Sequence, residues 1–85
     1  MKASIIEAIL REELHRIAPD IDTETIERDE DLREEYDIDS MDFLNLIIAL
    51  SKRLEIELPE TDYPRMDTYN TMIAYLEERS RINPL

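Results

Sequence analysis

The sequence contains no cysteine and no glycine, and it holds a single histidine. Without cysteine there is no disulfide and no cysteine-based metal site to brace the chain. The same absence fits a reducing compartment. Without glycine there is no EF-hand loop, whose sharp turn requires one. The acids at Asp29, Glu30, Asp31, Glu34, Glu35, Asp37 and Asp39 are hard oxygen ligands, but their spacing predicts no dedicated metal site. The one histidine, His15, lies among charged residues in an N-terminal helical pattern and is expected to face solvent. Basic residues are also scarce: 10 Lys and Arg against 22 Asp and Glu, a formal net charge of -12. Such a surface repels phosphates, so neither nucleic acid nor an anionic membrane is an expected partner. Basic protein surfaces are the natural partners, drawn in faster by the field; the same charge also keeps a small chain soluble. No apolar run is long enough to span a bilayer, so no membrane insertion is expected. Near the N-terminus Ile5, Ile6, Ile9 and Leu10 are interrupted by Glu7 and followed by Arg11, Glu12 and Glu13, unlike a signal peptide. A cytoplasmic monomer is expected.

What the chain does have is helical periodicity. Its 85 residues make one small domain that must draw its stability from helix packing. Ile5, Ile6, Ile9, Leu10, Leu14 and Ile17 form an apolar stripe on a helix from about Lys2 to Ile17, ended by Pro19. Residues 18–39 read as a long polar connection, pinned by Ile21 and Ile26 and anchored by Leu32 and Ile38. A second helix runs from Ser40 to about Leu54, with Asp39 or Ser40 as its cap. Residues 60–66 fit one short helical turn limited by Pro64, and a last helix runs from about Thr68 to Arg79, with Thr68 as N-cap and Tyr69, Met72, Ile73 and Leu76 as its apolar face. Residues 55–58 alternate in polarity, but a lone strand has nothing to pair with. The expected fold is all-α: a small four-helix bundle of three main helices and one short one, over residues 1–80, with 81–85 as a frayed tail.

The second helix is apolar on two sides. At about 100° per residue, Phe43, Leu46, Ile47, Leu50 and Leu54 make the core stripe. Met41 and Ile48 point nearly opposite Leu50, alongside Asn45 and Lys52, with Leu44 between the groups. A small bundle rarely buries a helix all round, so Met41 and Ile48 are expected to be partly exposed, as a docking face to which methionine brings adaptable contacts. The alternative is that they cover the long connection.

At the head of this helix stands Ser40, in the run Tyr36-Asp37-Ile38-Asp39-Ser40-Met41-Asp42. Nucleophilic catalysis needs a base and oxyanion donors, and no triad can be assembled around Ser40; no enzyme is expected. A helix N-terminus does suit a phosphate, so Ser40 reads as a place of attachment, the plain alternative being a simple N-cap.

Asp39-Ser40-Met41-Asp42, followed by an apolar helix, then Leu54-Glu55-Ile56-Glu57-Leu58-Pro59 and a last helix opening at Thr68, resembles the acyl carrier proteins, whose signature is Asp-Ser-Leu at a helix start. The resemblance implies that a phosphopantetheinyl transferase attaches 4'-phosphopantetheine from coenzyme A to Ser40. The arm's thiol then carries acyl groups as thioesters for fatty-acid, polyketide or related biosynthesis, through acyl-loading, acyl-modifying or acyltransferase partners. It implies that Asp39 helps orient the transferase and its metal-bound substrate, and that Met41 and Ile48 match partner-docking positions. It also implies that Phe43, Ile47, Leu50, Leu54 and Ile73 surround any space that shelters an acyl chain. The chain departs from the family pattern in having Asp37 where glycine is usual and Met41 for leucine. It departs most in charge: where the family's second helix carries acids, this one reads Asn45, Ser51, Lys52 and Arg53, and keeps only Asp42 near the serine. The partner face is therefore expected to comprise Met41, Asp42, Asn45, Ile48, Lys52 and Arg53, on a specialised carrier with its own partner set. The plain reading of Lys52 and Arg53 is a pair of solvated bases at a helix C-terminus. The rival function is a non-catalytic acidic interaction module with no prosthetic group.

Overall fold

A computed structural model describes residues 2–82, with side chains to Ser80. Its elements are α1 (Ala3–Ile17), α2 (Leu32–Glu35), α3 (Ser40–Leu54), a 3-10 helix (Glu60–Met66) and α4 (Tyr69–Ile82). No strand forms among the described residues; one isolated antiparallel bridge joins Asp31 and Thr68. The fold is the expected all-α bundle, in which α1 packs against both α3 and α4, and α4 holds the 3-10 helix.

The periodic stripes form the core. Ile6, Leu10 and Leu14 of α1, Leu46, Ile47 and Leu50 of α3, and Tyr69, Met72 and Leu76 of α4 are buried together, whereas Ile5, expected in the α1 stripe, is half exposed. The alternation after α3 also has a use: Ile56 and Leu58 are buried while Glu55 and Glu57 face water. An irregular segment thus closes the core without belonging to a sheet.

Three boundaries differ from expectation. The connection after α1 contains a short helix, α2, capped by Asp31, whose carboxylate accepts from the N–H groups of Arg33 and Glu34. Four residues are too few for hydrophobic periodicity to show; the turn forms because the cap satisfies free N–H groups and Leu32 is fully buried. The short segment at residues 60–66 is a 3-10 helix that runs through Pro64. The last helix continues to Ile82, beyond the expected Arg79, with Ser80 buried. It thereby enters the stretch expected to fray, of which residues 83–85 lie outside the described residues.

The long connection is fastened by polar contacts that bridge distant parts of the chain. Glu7 on α1 accepts from Arg11 (2.8 Å), from Arg28 (3.1 and 3.3 Å) and from the Tyr69 hydroxyl (3.2 Å). Hydrogen bonding from Arg28 holds the Glu7 carboxyl below its ordinary pKa. Arg28 also lies over the Tyr69 ring, 5.0 Å from its centroid. Backbone bonds Leu32 N–H to Asp67 C=O (2.8 Å) and Asn70 N–H to Arg28 C=O (3.0 Å) tie the end of the connection to the start of α4.

The 3-10 helix is fastened to α4 in turn. The Tyr75 hydroxyl donates to Asp62, Arg65 pairs with Glu78, and the Arg65 guanidinium stacks on the Tyr75 ring. Burial, and then the bond to Asp62, push the Tyr75 hydroxyl from 10.0 up to about 12. The raised value means that the fold favours the neutral phenol. Its contribution is complete below pH 10 and is lost as pH rises toward 12. The urea midpoint should therefore fall across about pH 10–12. Tyr75→Phe should be less stable at pH 8 and show a shallower alkaline fall, the remainder coming from Tyr69, whose hydroxyl burial also pushes up.

Candidate functional site

Ser40 is placed by the turn that separates α2 from α3. After Tyr36 the chain enters the left-handed region at Asp37, with φ 55°. Aspartate tolerates this geometry better than most residues, so the turn forms without glycine. Ile38 then donates its N–H to the Arg33 carbonyl (3.0 Å) and buries its side chain, the pattern of a helix closed by a left-handed residue. Asp39 follows in extended conformation, and its Oδ1 accepts the Asp42 N–H at 2.8 Å. Asp39 is therefore the cap, which leaves Ser40 as the first residue of α3. The first bond of the α3 ladder runs from Phe43 N–H to the Asp39 carbonyl (2.9 Å), so the N–H groups ahead of Phe43 lie outside that ladder.

The Ser40 side chain is exposed, and its hydroxyl makes no hydrogen bond among the described residues. His15 is exposed on α1. Among the described residues no group of three or more His, Asp or Glu side chains converges to hold a metal ion. No described helix is long and apolar enough to cross a membrane. A presented but unactivated hydroxyl is suited to receive a group from another protein's active site.

Beside Ser40 lies a groove of about 520 Å3, lined by Asp31, Arg33, Ser40, Phe43, Leu44, Glu60, Tyr63, Pro64 and Asp67. Its walls come from α2, α3 and the 3-10 helix, and the Phe43 and Tyr63 rings meet edge to face across it at 5.9 Å. Of the residues expected to surround a sheltered acyl chain, only Phe43 lines this groove; Ile47, Leu50, Leu54 and Ile73 are buried in the core. Residues Glu60, Tyr63, Pro64 and Asp67 escaped the sequence reading because they meet Ser40 only through tertiary packing. Arg33 did leave a signal: it is the one base in the acidic run 29–39.

Away from the groove on α3, Met41 is 66% exposed and Ile48 43%, and Leu44, 40% exposed, stands at the groove's rim between them and Ser40. The three do not cover the long connection; they make an apolar strip leading away from Ser40. Asn45 and Lys52 are exposed with them, and Asp42 is half-buried. Arg53 behaves differently from its neighbour. It bridges to α1, pairing with Glu13 at 2.9 Å and Glu12 at 3.3 Å, so it is not a free solvated base. Its first purpose is to satisfy Glu13, an almost fully buried carboxylate. Ser51, another of the charge-changed positions, donates its hydroxyl to the Ile56 carbonyl and helps close α3, where Glu55 takes the left-handed position at φ 54°.

A family model described as "Phosphopantetheine attachment site" matches residues 4–76. The chain is similar to an acyl carrier protein of Streptomyces coelicolor, 32% identical over 69 residues, covering 81% of this chain and 75% of that protein. It is similar to that of Campylobacter jejuni subsp. doylei, 25% identical over 72 residues, covering 85% and 87%. A third, from Campylobacter curvus, is 26% identical over 58 residues, covering 68% and 75%.

The turn and the cap separate by mutation. Asp39→Ala should cost about 1 kcal/mol through the lost cap, and Asp39→Asn should recover most of it. Asp37→Val should cost about 1–2 kcal/mol through its left-handed backbone. Asp37→Gly should be neutral or slightly stabilising. Urea unfolding of the four variants checks this.

Proposed function

This chain belongs to the acyl carrier protein family, and from that membership we propose that Ser40 is the residue to which its 4'-phosphopantetheine is attached. Acyl carrier proteins are carriers rather than catalysts, and they meet a phosphopantetheinyl transferase and acyl-handling enzymes in turn. The observation that carries the assignment is the exposed, unbonded hydroxyl of Ser40 at the first position of α3, directly beside the groove. When bound, the arm supplies a terminal thiol on which acyl groups travel as thioesters, chemistry that a chain without cysteine lacks.

The residues present fit such a group. The N–H groups of Ser40 and Met41, outside the α3 ladder and not taken by the Asp39 cap, favour a phosphate at this end of the helix. The groove offers Phe43, Leu44, Tyr63 and Pro64 as apolar lining against which an extended chain can rest. Asp39 spends one carboxylate oxygen on the cap and leaves the other for a transferase and its metal-bound substrate.

The partner face in this reading is the strip of Met41, Leu44 and Ile48, flanked by Asp42, Asn45 and Lys52. Arg53 contributes by holding the end of α3 on α1, its charge already balanced by Glu12 and Glu13. With Asp42 the one acid on α3, this strip is poorly matched to partners that present basic patches. The carrier therefore serves a dedicated set of enzymes in fatty-acid, polyketide or related acyl transfer, acting as a cytoplasmic monomer.

Two experiments test these points. Incubation with coenzyme A and a phosphopantetheinyl transferase should add one phosphopantetheinyl increment to the intact mass, absent from Ser40→Ala; no increment with any transferase tried would refute the assignment. General fatty-acid synthesis enzymes should load and elongate the wild-type carrier poorly, and Lys52→Glu should improve this by about twofold to fivefold. Arg53 is left intact, because its loss would uncover Glu12 and Glu13. Efficient use of the wild-type protein would count against a dedicated partner set.

A further inference from the structure

Arg33 stands apart from most of the arginines. Arg11, Arg28, Arg53 and Arg65 each pair with a glutamate. Arg33, on α2 among Asp31, Glu34 and Glu35, makes no ion pair among the described residues. Its guanidinium lies over the Phe43 ring, 5.4 Å from the centroid, and its Nε–H points to the Ile38 carbonyl at 3.5 Å. These contacts leave the two terminal amino groups of the guanidinium without an acceptor among the described residues. They also hold it in the groove that Ser40 lines, where it is the one base among the described lining residues.

The spacing along α3 matters here. Phe43 is three residues after Ser40, so the two share a face one helical turn apart. A guanidinium stacked on Phe43 is therefore about one turn from the Ser40 side chain. Any phosphodiester on Ser40 brings a negative charge next to Asp39 and Asp42, on a chain already at -12. The α3 N-terminus offsets part of that repulsion. A planar cation with free donors in the same groove offsets more, and its fork geometry matches two phosphate oxygens.

Resting on the assignment of Ser40 above, we infer that Arg33 is an anion-binding residue for the phosphodiester on Ser40, which lays the arm along the groove. Phe43 and the Ile38 carbonyl hold the guanidinium ready, so little side-chain freedom is lost on contact. This is a property of this chain's own α2, where a lone base interrupts an acidic run.

The test compares apo and holo forms of wild type, Arg33→Gln and Arg33→Lys. In Arg33→Gln the phosphorus-31 resonance of the phosphodiester should move from its wild-type position. Its holo form should also lose about 2–4 °C more in Tm, relative to its own apo form, than wild type does. That extra loss should shrink as salt approaches 1 M, and Arg33→Lys should retain part of the contact. A merely structural Arg33 would lower apo and holo stability equally and leave the phosphorus resonance in place; that result overturns the inference. So does an Arg33 Nε–H resonance that ignores the arm and moves only when a carboxylate-bearing acyl group is loaded. A wild-type protein that gains neither mass nor a phosphorus resonance overturns the Ser40 assignment, and this inference with it.

Discussion

Everything at the functional end of this molecule depends on the left-handed turn at Asp37. It stops α2 after one turn, drops Ile38 into the core and sends the chain into Asp39 at the angle needed to cap α3. Had α2 continued, Ser40 would sit within a helix, with its backbone N–H groups bonded and its side chain on a flank. The turn is made without glycine, at a modest conformational cost that the buried Ile38 and the Asp39 cap offset. The same solution closes α3, where Glu55 takes the left-handed position and Ile56 is buried after it. A chain with no glycine thus ends two helices by following an exposed acid with a buried isoleucine.

Most of the scaffold was legible in the sequence because it is written in local patterns. The stripes of α1, α3 and α4, the capping residues Asp39 and Thr68, and the two faces of α3 are all set by neighbours within a few turns. Thr68 illustrates this: its hydroxyl accepts the Thr71 N–H at 3.0 Å, as a Ser or Thr ahead of an apolar run should. What escaped was either too short or too distant. Four residues of α2 carry no period. The Arg53 pairing with Glu12 and Glu13 joins positions some 40 residues apart, so Arg53 read as a surface base. The groove is likewise assembled from three separate stretches, and sequence alone pointed only to its α3 wall.

The acidic surplus is also distributed unevenly. Several arginines are consumed internally: Arg11 and Arg28 on Glu7, Arg53 on the α1 acids, Arg65 on Glu78. These pairs fasten the connection, α3 and the 3-10 helix to their neighbours, so the basic charge works mainly as internal ties. The bases left for outside recognition are few, and Lys52 and Arg33 lie on opposite aspects of α3, one beside the apolar strip and one in the groove. The face with the exposed apolar strip and the groove beside Ser40 therefore each carry a single base.

The 3-10 helix has one more consequence. Its ties run to α4, through Tyr75 and Glu78, whereas Ser40 and Phe43 belong to α3, which is held by α1. Ser40 and the facing wall of the groove are therefore carried by different elements, whose Tyr63 and Phe43 rings meet edge to face. The groove beside Ser40 is thus bounded by two separately fastened walls, one tied to α1 and the other to α4.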